Sequence, residues 1–462
     1  MELSIRHPRR AAIAATLVAC TALAGALSAL PTRAADKVST PVPSARGWLV
    51  KSYEQIERPA ASPMSADDQA ALKAMVAKRK PEDIARFHWW AAGGPVYRWN
   101  EMILDEMQLS FVTLPLSVRH LALFHAALDD AVAAAWHYKG ATARPGVVVV
   151  DGALKAGTPG SKAASPSDYA AAAAAAAEIL AYLFPARAAE FAAKAEEAMQ
   201  VRLLAGAEFP SDIEAGRQIG RRVAALAIAR GKSDGSDAVW RGSIPEGPGT
   251  WKGANPIAAA AGIWQTWVLS SASELRPPAP PAFDSEQVKA ALAELKTFAR
   301  TPRTNHRATF WEVNGGARAH TLWNDLARAK LLENGTAPAA SARVLAALNI
   351  ALLDAGIACW DAKYAYWYIR PSQLDAELKP LFPPPNHPSY PAAHGCFSTA
   401  AAVVLAGAFP LDSDRLLALG KEAAEARVWA GIHYRFDIDA GQEIGRKVAE
   451  KTLQRAFASP MR

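Results

Sequence analysis

The spacing of apolar residues along the chain predicts a protein built almost entirely of α-helices. Between residues 114 and 138, apolar side chains such as Leu121 and Phe124 recur at intervals typical of one buried helix face. A second helical segment begins near Asp168 and runs through an alanine-rich stretch, which favours close helix packing, to about residue 204. Similar spacing predicts further helices at residues 213–230, 285–300, 316–332, 339–368, 397–408, 413–431 and 439–457.

The helical pattern is interrupted between residues 231 and 284. This stretch contains Gly-Pro-Gly, a run of prolines and Trp240, Trp251, Trp264 and Trp267. A loop of this length usually has a function, and its tryptophans predict that it folds over a protein surface. We therefore expect an all-α fold class, with two helical bundles joined by a long irregular connection. The predicted boundaries are a lead-in at 35–85, a first bundle at 86–230, the connection at 231–284 and a second bundle at 285–462.

Residues 1–34 resemble a secretory signal peptide. A basic start at residues 6–10 precedes an apolar run, which ends at Thr32-Arg33-Ala34. A membrane anchor is the competing interpretation because the run is about long enough to span a bilayer, but its alanine content makes it weakly hydrophobic. A lipoprotein anchor at Cys20 is the weaker alternative, since apolar residues continue after it. We expect an exported protein, periplasmic or secreted, with no stable membrane span in the mature chain.

The charge balance argues against nucleic acid as a partner. The 462 residues contain 51 Lys and Arg against 44 Asp and Glu, a formal net charge of +7. Residues 1–34 contribute a net +3 of this, so about +4 remains, which is too mild for a polyanion-binding surface. Basic runs interleaved with aromatic residues are also absent from the sequence. The sequence leaves the oligomeric state open.

Two cysteines, Cys359 and Cys396, remain after the leader. In an exported protein they can form a disulfide. Two buried, unpaired thiols are the alternative, because a sequence alone does not fix the distance between them. Both cysteines lie close to the motifs that follow.

Two cations lie seven residues apart near the end of a predicted helix. At 3.6 residues per turn, Lys363 and Arg370 share one helix face, and Pro371 discourages continuation of that helix. Two cations on one face are unusual in a core helix. A solvated basic edge with aromatic packing is the alternative interpretation. The flanking aromatic residues are Trp360, Tyr364, Tyr366, Trp367 and Tyr368.

A proline-rich turn leads into a helix beside His394. The helix is predicted to open at about Phe397, so free backbone N–H groups and the positive end of the helix dipole lie next to this histidine. An anion fits such a place. A lone histidine there is, however, more often a cap or a packing residue.

The third group is Arg427, His433 and Asp437. Six residues turn about 600° on a straight helix, so Arg427 and His433 need a break, which Gly431 can provide. The four-residue spacing from His433 to Asp437 would let the carboxylate orient one imidazole nitrogen and leave the other free. An ordinary surface pair on a helix is the alternative. The three groups together offer three cations, two histidines and one carboxylate, which is what oxyanion chemistry requires.

These residues form the pattern K-x6-R-P, then P-x-x-H, then R-x5-H-x3-D, which resembles the signature shared by vanadium haloperoxidases and type 2 phosphatidic acid phosphatases. Residues 119–136, 321–331 and 355–364 also read like the helical body of bacterial haloperoxidase-like proteins. The resemblance covers residues from about 90 to 455. Because simple phosphatases of this superfamily are usually shorter, the extent favours the haloperoxidase branch.

The resemblance implies a role for each residue of the signature. His433 would be the vanadate ligand, or the phosphorylated nucleophile of a phosphatase, with Asp437 orienting it and His394 acting as the acid–base group. The cations and one backbone N–H would hold the equatorial oxygens; these are Lys363, Arg370, Arg427 and the N–H of Ala393.

Two further residues would lie near the halide. Trp360 falls where haloperoxidases can have a tryptophan close to this ion. His387 falls where bromide-preferring members have histidine and chloride-preferring members have phenylalanine. The resemblance therefore implies vanadate as the cofactor, with hydrogen peroxide and halide as substrates and bromide favoured over chloride.

The chain departs from the family pattern at two positions. Ala392 and Ala426 replace serines, and the loss of one neutral hydrogen bond costs roughly 0.5–1.5 kcal/mol. Two alternatives therefore stay beside the haloperoxidase hypothesis. One is an acid phosphatase that hydrolyses phosphate esters through a phosphohistidine, without vanadate. The other is an oxyanion-binding homologue that has lost turnover.

Overall fold

The computed structural model describes residues 46–59, 65–112, 114–141 and 165–457. These residues form fifteen α-helices and no β-strand, which confirms the all-α fold class. Proline at the first helical position starts α2, α7, α9, α11 and α12, and a serine side chain caps α1, α5 and α8. The helices are α1 (Ala66–Ala77), α2 (Pro81–Ala91), α3 (Tyr97–Leu109), α4 (Leu116–Ala141), α5 (Asp168–Leu183), α6 (Ala188–Leu204), α7 (Pro210–Gly231), α8 (Glu286–Thr297), α9 (Pro302–Glu312), α10 (Ala319–Glu333), α11 (Pro338–Tyr366), α12 (Pro371–Leu374), α13 (Ala393–Ala408), α14 (Ser413–Trp429) and α15 (Arg435–Ala456).

Helices α4 to α7 pack together as a first bundle, and α11, α13, α14 and α15 form a second. Helix α4 packs along α11, so one hydrophobic core extends through both bundles. All described residues belong to one compact unit. The domain boundaries given above stay a prediction. The predicted leader at 1–34 lies outside the described residues.

Helix α11 is the central helix of this core. Among the described helices it is long and apolar enough to cross a membrane, with a mean hydropathy of 1.7 in its most apolar window, but that window is completely buried inside the protein. Burial on all sides is what the shared helix of two bundles requires. The end of α11 brings Trp360 and Lys363 to the site described below.

The second bundle repeats the first. Helices α5, α6 and α7 recur with identical lengths as α13, α14 and α15, each 225 positions later. The sequence D-I-x-A-G-x-x-I-G-R occurs in both α7 and α15. In both copies its first glycine touches a backbone: a Cβ on Gly216 would lie 2.2 Å from the Ser167 carbonyl oxygen, and one on Gly441 would lie 2.4 Å from that of Ala392. The bundles are copies of one structural unit.

Each bundle is covered by the segment that precedes it. The N–H groups of Trp48 and Leu49 donate to the Asp130 carboxylate on α4 at 2.8 Å. The N–H groups of Trp267 and Val268 donate to Asp354 on α11 at 2.9 and 2.7 Å. The connection therefore lies over the second bundle, as its tryptophans predicted.

The connection also reaches the loop that follows α11. The Trp251 N–H donates to the Trp367 carbonyl at 2.6 Å, and the Ile369 N–H donates to that of Gly249 at 3.0 Å. Asn386 binds the connection through its side chain and backbone, and its carbonyl accepts from the Ile257 N–H at 3.0 Å. These bonds hold one wall of the candidate site.

Several predicted helix limits were wrong. The stretch from Asp168 to residue 204 is two helices, because Phe184 leaves the helical conformation and Pro185 follows it. Helix α13 begins at Ala393, earlier than predicted, so His394 lies inside its first turn. Helix α15 begins at Arg435 instead of residue 439.

Candidate functional site

A cavity of about 270 Å³ opens where α11, α13 and the loop before α15 meet. Six of the nine residues singled out in the sequence line it: Trp360, His387, Ala393, His394, Arg427 and His433. The other three, Lys363, Arg370 and Asp437, are buried directly behind its wall. The sequence-predicted residues therefore come together at one place. Apolar side chains complete the wall: Leu114, Ile257, Phe397 and Ile432.

His433 is held between Asp437 and Arg370. Its Nδ1 lies 2.8 Å from Asp437 Oδ2, and its Nε2 lies 2.9 Å from Arg370 Nη1. Since a guanidinium only donates, Nε2 accepts and Nδ1 has the proton. Burial, followed by repulsion from Arg370, holds the pKa of His433 well below its usual range. The imidazole is therefore neutral, with its ring in the cavity wall and its lone pair on Nε2 accepting from Arg370.

Ser389 fixes the carboxylate behind this histidine. Its hydroxyl donates to Asp437 Oδ2 at 2.6 Å, and the Tyr434 N–H donates to the same oxygen at 3.2 Å. Burial raises the pKa of Asp437 to about 6, against the lowering effect of Ser389 and the nearby cations. The sequence prediction missed Ser389. The position of Ser389, in the turn before the P-x-x-H motif, was the one signal in the sequence that could have indicated this residue.

Lys363 and Arg370 are anchored by backbone carbonyls. The Lys363 ammonium donates to three backbone carbonyls, those of Pro388 at 2.9 Å, Ser389 at 3.0 Å and Pro391. Burial lowers the pKa of Lys363 to about 8 and that of Arg370 to about 10. Arg370 donates to the His387 carbonyl through Nε and Nη2 at 3.1 and 3.0 Å. Both cations are thus positioned before any anion binds.

The helical argument for these two cations was wrong in one respect. Helix α11 ends at Tyr366, Trp367 takes the left-handed conformation (φ 48°), and Arg370 caps the next short helix. Arg370 therefore reaches the site through a turn and does not share a helix face with Lys363. The expected pairing of His433 with Asp437 is present, but not in helical geometry, because His433 lies before α15 and Asp437 in its first turn. The break at Gly431 is present, with φ of 74°.

His394 is the second residue of α13. Its Nε2 donates to the Trp311 carbonyl at 2.9 Å, which leaves Nδ1 for proton exchange. Burial, followed by repulsion from Arg427, holds the pKa of His394 well below its usual range. The first hydrogen bond of the helix runs from the Cys396 N–H to the Ala392 carbonyl. The N–H groups of the preceding turn, including that of Ala393, therefore have no partner within the helix.

Arg427 pairs with a carboxylate that the sequence did not indicate. Its Nη1 donates to Glu312, whose side chain is one-third exposed and lines the cavity. Its Nη2 donates to the Ala308 carbonyl at 3.0 Å. Its Nε is buried and has no hydrogen-bond partner among the described residues. The adjoining π-helical turn (Val313–Ala317) lies against His394.

Trp360 and His387 lie side by side in the wall, with ring centroids 5.5 Å apart. The indole N–H donates to the Ile257 carbonyl at 3.1 Å, so the connection fixes the ring. Burial and the adjacent Lys363 hold the pKa of His387 well below its usual range. The cavity therefore has an aromatic wall beside its cationic floor.

Cys359 and Cys396 are free and buried, so the unpaired alternative holds in this structure. They lie next to one another, since a hydrogen bond between the two thiols adds to burial in raising the pKa of Cys396. The Cys359 thiol also contacts the Pro391 carbonyl at 4.0 Å. Both thiols pack behind Lys363 and outside the cavity.

Residues 406–459 match the family model of the VCPO second helical-bundle domain. This range contains Arg427, His433 and Asp437. Non-specific acid phosphatases match over short stretches. That of Salmonella typhi is 40% identical over 57 residues, 12% of this chain and 23% of that protein. That of Providencia stuartii is 33% identical over 94 residues, 19% of this chain and 38% of that protein. The chain thus spans about a quarter to two-fifths of the length of these relatives.

Solved structures match over most of the chain. A bacterial vanadium-dependent iodoperoxidase superposes with a TM-score of 0.62 at 20% identity, covering 79% of this chain and 96% of the other. A bacterial vanadium-dependent chloroperoxidase superposes with a TM-score of 0.53 at 16% identity, covering 74% and 92%. At such identities these matches establish the fold. With the family model over residues 406–459 and the phosphatase relatives, they support the superfamily of vanadium haloperoxidases and type 2 phosphatidic acid phosphatases for this chain.

Proposed function

We propose that this protein is a vanadate-dependent haloperoxidase-like enzyme, which oxidises halide with hydrogen peroxide and favours bromide. The observation that carries the proposal is the state of His433 in the cavity wall: Asp437 fixes its protonated Nδ1, and its unprotonated Nε2 accepts from the buried Arg370. A histidine in this state can bond a central atom such as vanadium. The fold of the chain, similar to that of a bacterial iodoperoxidase and a chloroperoxidase, supports the same activity.

The residues present fit vanadate. The buried Nε of Arg427 lacks a partner among the described residues, and a buried donor without an acceptor is costly. An oxyanion oxygen would satisfy it. Lys363, Arg370 and Arg427 together would neutralise the anion's charge, and the first-turn N–H groups of α13 add donors. When bound, vanadate would supply the Lewis-acidic centre that activates hydrogen peroxide toward two-electron oxidation of halide.

The chain's own residues would then have separate tasks. His433 would hold the anion from one side. The Arg370 N–H that donates to Nε2 of that histidine would then donate to an anion oxygen instead. His394 would take up and return a proton through Nδ1. Trp360 and His387 would line the approach of the halide. The overall reaction would consume one halide ion, one hydrogen peroxide molecule and one proton, and it would release hypohalous acid and water.

Purified protein should oxidise bromide when vanadate and peroxide are both supplied, measured by bromination of an organic dye. His433→Ala should abolish this activity while leaving the circular dichroism spectrum unchanged. Hydrolysis of phosphate esters without halide oxidation would refute the proposal. Inactivity in both assays with retained vanadate binding would instead identify an oxyanion-binding homologue, which is the outcome that Ala392 and Ala426 would explain.

Bromide preference is the finer part of the proposal and rests on His387. Its ring borders Trp360 at the cavity wall and is anchored by Arg370, whose Nη2 lies 3.1 Å from Nδ1. His387→Phe should lower bromide oxidation relative to chloride oxidation. An unchanged ratio of the two rates would show that His387 does not select the halide.

An acid phosphatase is the second candidate, favoured by the phosphatase relatives. In that reaction Nε2 of His433 would attack phosphorus, forming an N–P bond as the ester P–O bond breaks. The leaving oxygen would take a proton from Nδ1 of His394, which the negative charge of the bound phosphate ester would hold in its protonated form. A water molecule, deprotonated by the same histidine, would then release phosphate and restore His433.

We further propose that the protein is exported, on the basis of the basic and apolar pattern of residues 1–34. N-terminal sequencing of protein recovered outside the cytoplasm should find cleavage close to Ala34. An uncleaved N-terminus would contradict removal of the leader.

A further inference from the structure

The duplication gives seven of the nine residues of the second-bundle site a counterpart among the described residues of the first bundle. The spacing is 224 positions between α4 and α11 and 225 positions in the later helices. The first bundle keeps the tryptophan, the lysine, the last arginine and the aspartate, but it has acidic residues in place of Ala393 and His433. The pairs are Trp360 with Trp136, Lys363 with Lys139, Ala393 with Asp168, His394 with Tyr169, Arg427 with Arg202, His433 with Glu208, and Asp437 with Asp212.

The first acidic residue binds the lysine. Lys139 Nζ lies 2.7 Å from Asp168 Oδ1, and Trp136 Nε1 donates to Asp168 Oδ2 at 3.0 Å. The lysine and the carboxylate are both buried. Burial opposes ionisation of Asp168, but the charge and hydrogen bond of Lys139 and the charge of Arg202 together outweigh it, so the pKa of this carboxyl lies below its usual value. The carboxylate is therefore an anion in a buried cationic setting.

The second acidic residue binds the arginine. Arg202 Nε donates to Glu208 Oε2 at 2.6 Å, and the Ser167 hydroxyl donates to the same oxygen at 2.8 Å. The guanidinium also lies 3.8 Å above the ring of Tyr169, the counterpart of His394. All of these groups except the tyrosine are almost completely buried.

The same arginine atom differs between the two copies. In the first bundle Nε has the Glu208 carboxylate, whereas in the second bundle Nε of Arg427 has no partner among the described residues. Ala392 stands in the second bundle at the position of Ser167, so a hydroxyl donor is also lost there. Carboxylate oxygens in the first copy thus satisfy donors whose counterparts in the second copy lie in the wall of a cavity or directly behind it.

We propose that the first bundle contains a second oxyanion pocket of the same origin, closed by the chain's own carboxylates Asp168 and Glu208. A carboxylate presents anionic acceptor oxygens, as phosphate or molybdate does, so it satisfies the same ammonium and guanidinium donors. This pocket therefore needs no external ligand, and it takes a tetrahedral oxyanion once a carboxylate is removed. The proposal does not depend on which reaction the second bundle catalyses.

The test is Asp168→Ala in the full chain, which gives the first bundle the residue type of Ala393. Loss of the carboxylate from buried Lys139 should lower the melting temperature. Inorganic phosphate or molybdate should then raise it by about 3–5 °C more than in the wild type, at about 100 times the dissociation constant. The comparison with wild type removes the contribution of the second-bundle site. Molybdate calorimetry should find one further anion bound per chain in the variant.

Asp234→Ala is the matched control. Asp234 is a nearly buried carboxylate that pairs with Arg119 at 2.8 Å, away from the duplicated motif. This variant should lose stability without any extra gain from phosphate. Equal gains in the two variants, or no gain in Asp168→Ala beyond the wild type, would overturn the proposal.

If Asp168→Ala does not fold in chloride buffer, its refolding yield provides the measurement. Phosphate should restore the yield at matched ionic strength, whereas chloride should not. Equal yields in the two buffers would also overturn the proposal. Binding of two anions per wild-type chain would also overturn the proposal, because the first-bundle pocket would then be open in the wild type.

Discussion

Removal of the Ser389 hydroxyl should shift the pH dependence of catalysis. The hydroxyl donates to Asp437 Oδ2 at 2.6 Å in a fully buried setting. A hydrogen bond to an ionised group is worth about 1.5–3 kcal/mol, and about 1.4 kcal/mol corresponds to one pKa unit. Without this bond the ionised form of Asp437 loses stabilisation. Its pKa, now about 6 because of burial, should therefore rise by about one to two units in Ser389→Ala.

The sign of the effect on activity follows from the role of Asp437. Only the ionised carboxylate accepts strongly from Nδ1 of His433, so the acidic limb of kcat/KM should move to higher pH in the variant. Near pH 6 the loss should be roughly tenfold, and it should become smaller as the pH rises past about 8. The assay is kcat/KM against pH for whichever reaction the wild type performs.

Ser398→Ala is the control for this prediction. Ser398 is also fully buried, but its hydroxyl has no hydrogen-bond partner among the described residues. The control should keep the wild-type pH profile. An acidic limb that stays in place in Ser389→Ala would refute the idea that this serine stabilises the ionised carboxylate.

Three further changes probe the cavity. Glu312→Gln should tighten molybdate binding about tenfold, because it frees the Arg427 charge that Glu312 neutralises. Glu422→Gln, which changes a carboxylate of similar exposure outside the cavity, should leave molybdate binding unchanged. Weaker molybdate binding in Glu312→Gln would contradict the prediction. Molybdate affinity should fall as the pH rises through about 8, where Lys363 loses its charge. Lys363→Met should not show this fall in affinity. A fall that persists in Lys363→Met would assign the titration to another group. Gly315→Ala should lower kcat by roughly tenfold or more, because a Cβ there would lie 2.7 Å from His394 Cδ2; an unchanged kcat would mean that the ring tolerates the shift.

The sequence predicted the helical class and the charged residues of the site because both depend on local pattern. Helical periodicity survives in each segment, and residues such as Lys363 and His433 are rare among the apolar residues of a core. The route by which they converge was less predictable. A left-handed residue at Trp367 redirects the chain to Arg370, and such a turn has no strong signal when the residue is not glycine.

Contacts between distant segments were missed for a different reason. Glu312 meets Arg427 across two helices, and no spacing in the sequence relates them. The duplication, in contrast, is present in the sequence as D-I-x-A-G-x-x-I-G-R in α7 and α15. Such internal repetition is a signal that the sequence contains independently of its helical pattern. The different catalytic and structural residues of the two copies hide the rest of the similarity.

The cover that precedes each bundle has a consequence for the origin of the chain. Asp130 and Asp354 clamp equivalent segments, so a single ancestral unit of one cover and one bundle would already have been closed. Two such units would have met as a symmetric dimer, with Asn100 and Asn324 facing each other as they do now at 2.8 Å. In a dimer of identical chains every substitution enters both pockets at once. Fusion would have ended that constraint, so that one half could close its pocket with acidic residues while the other kept its donors around a cavity.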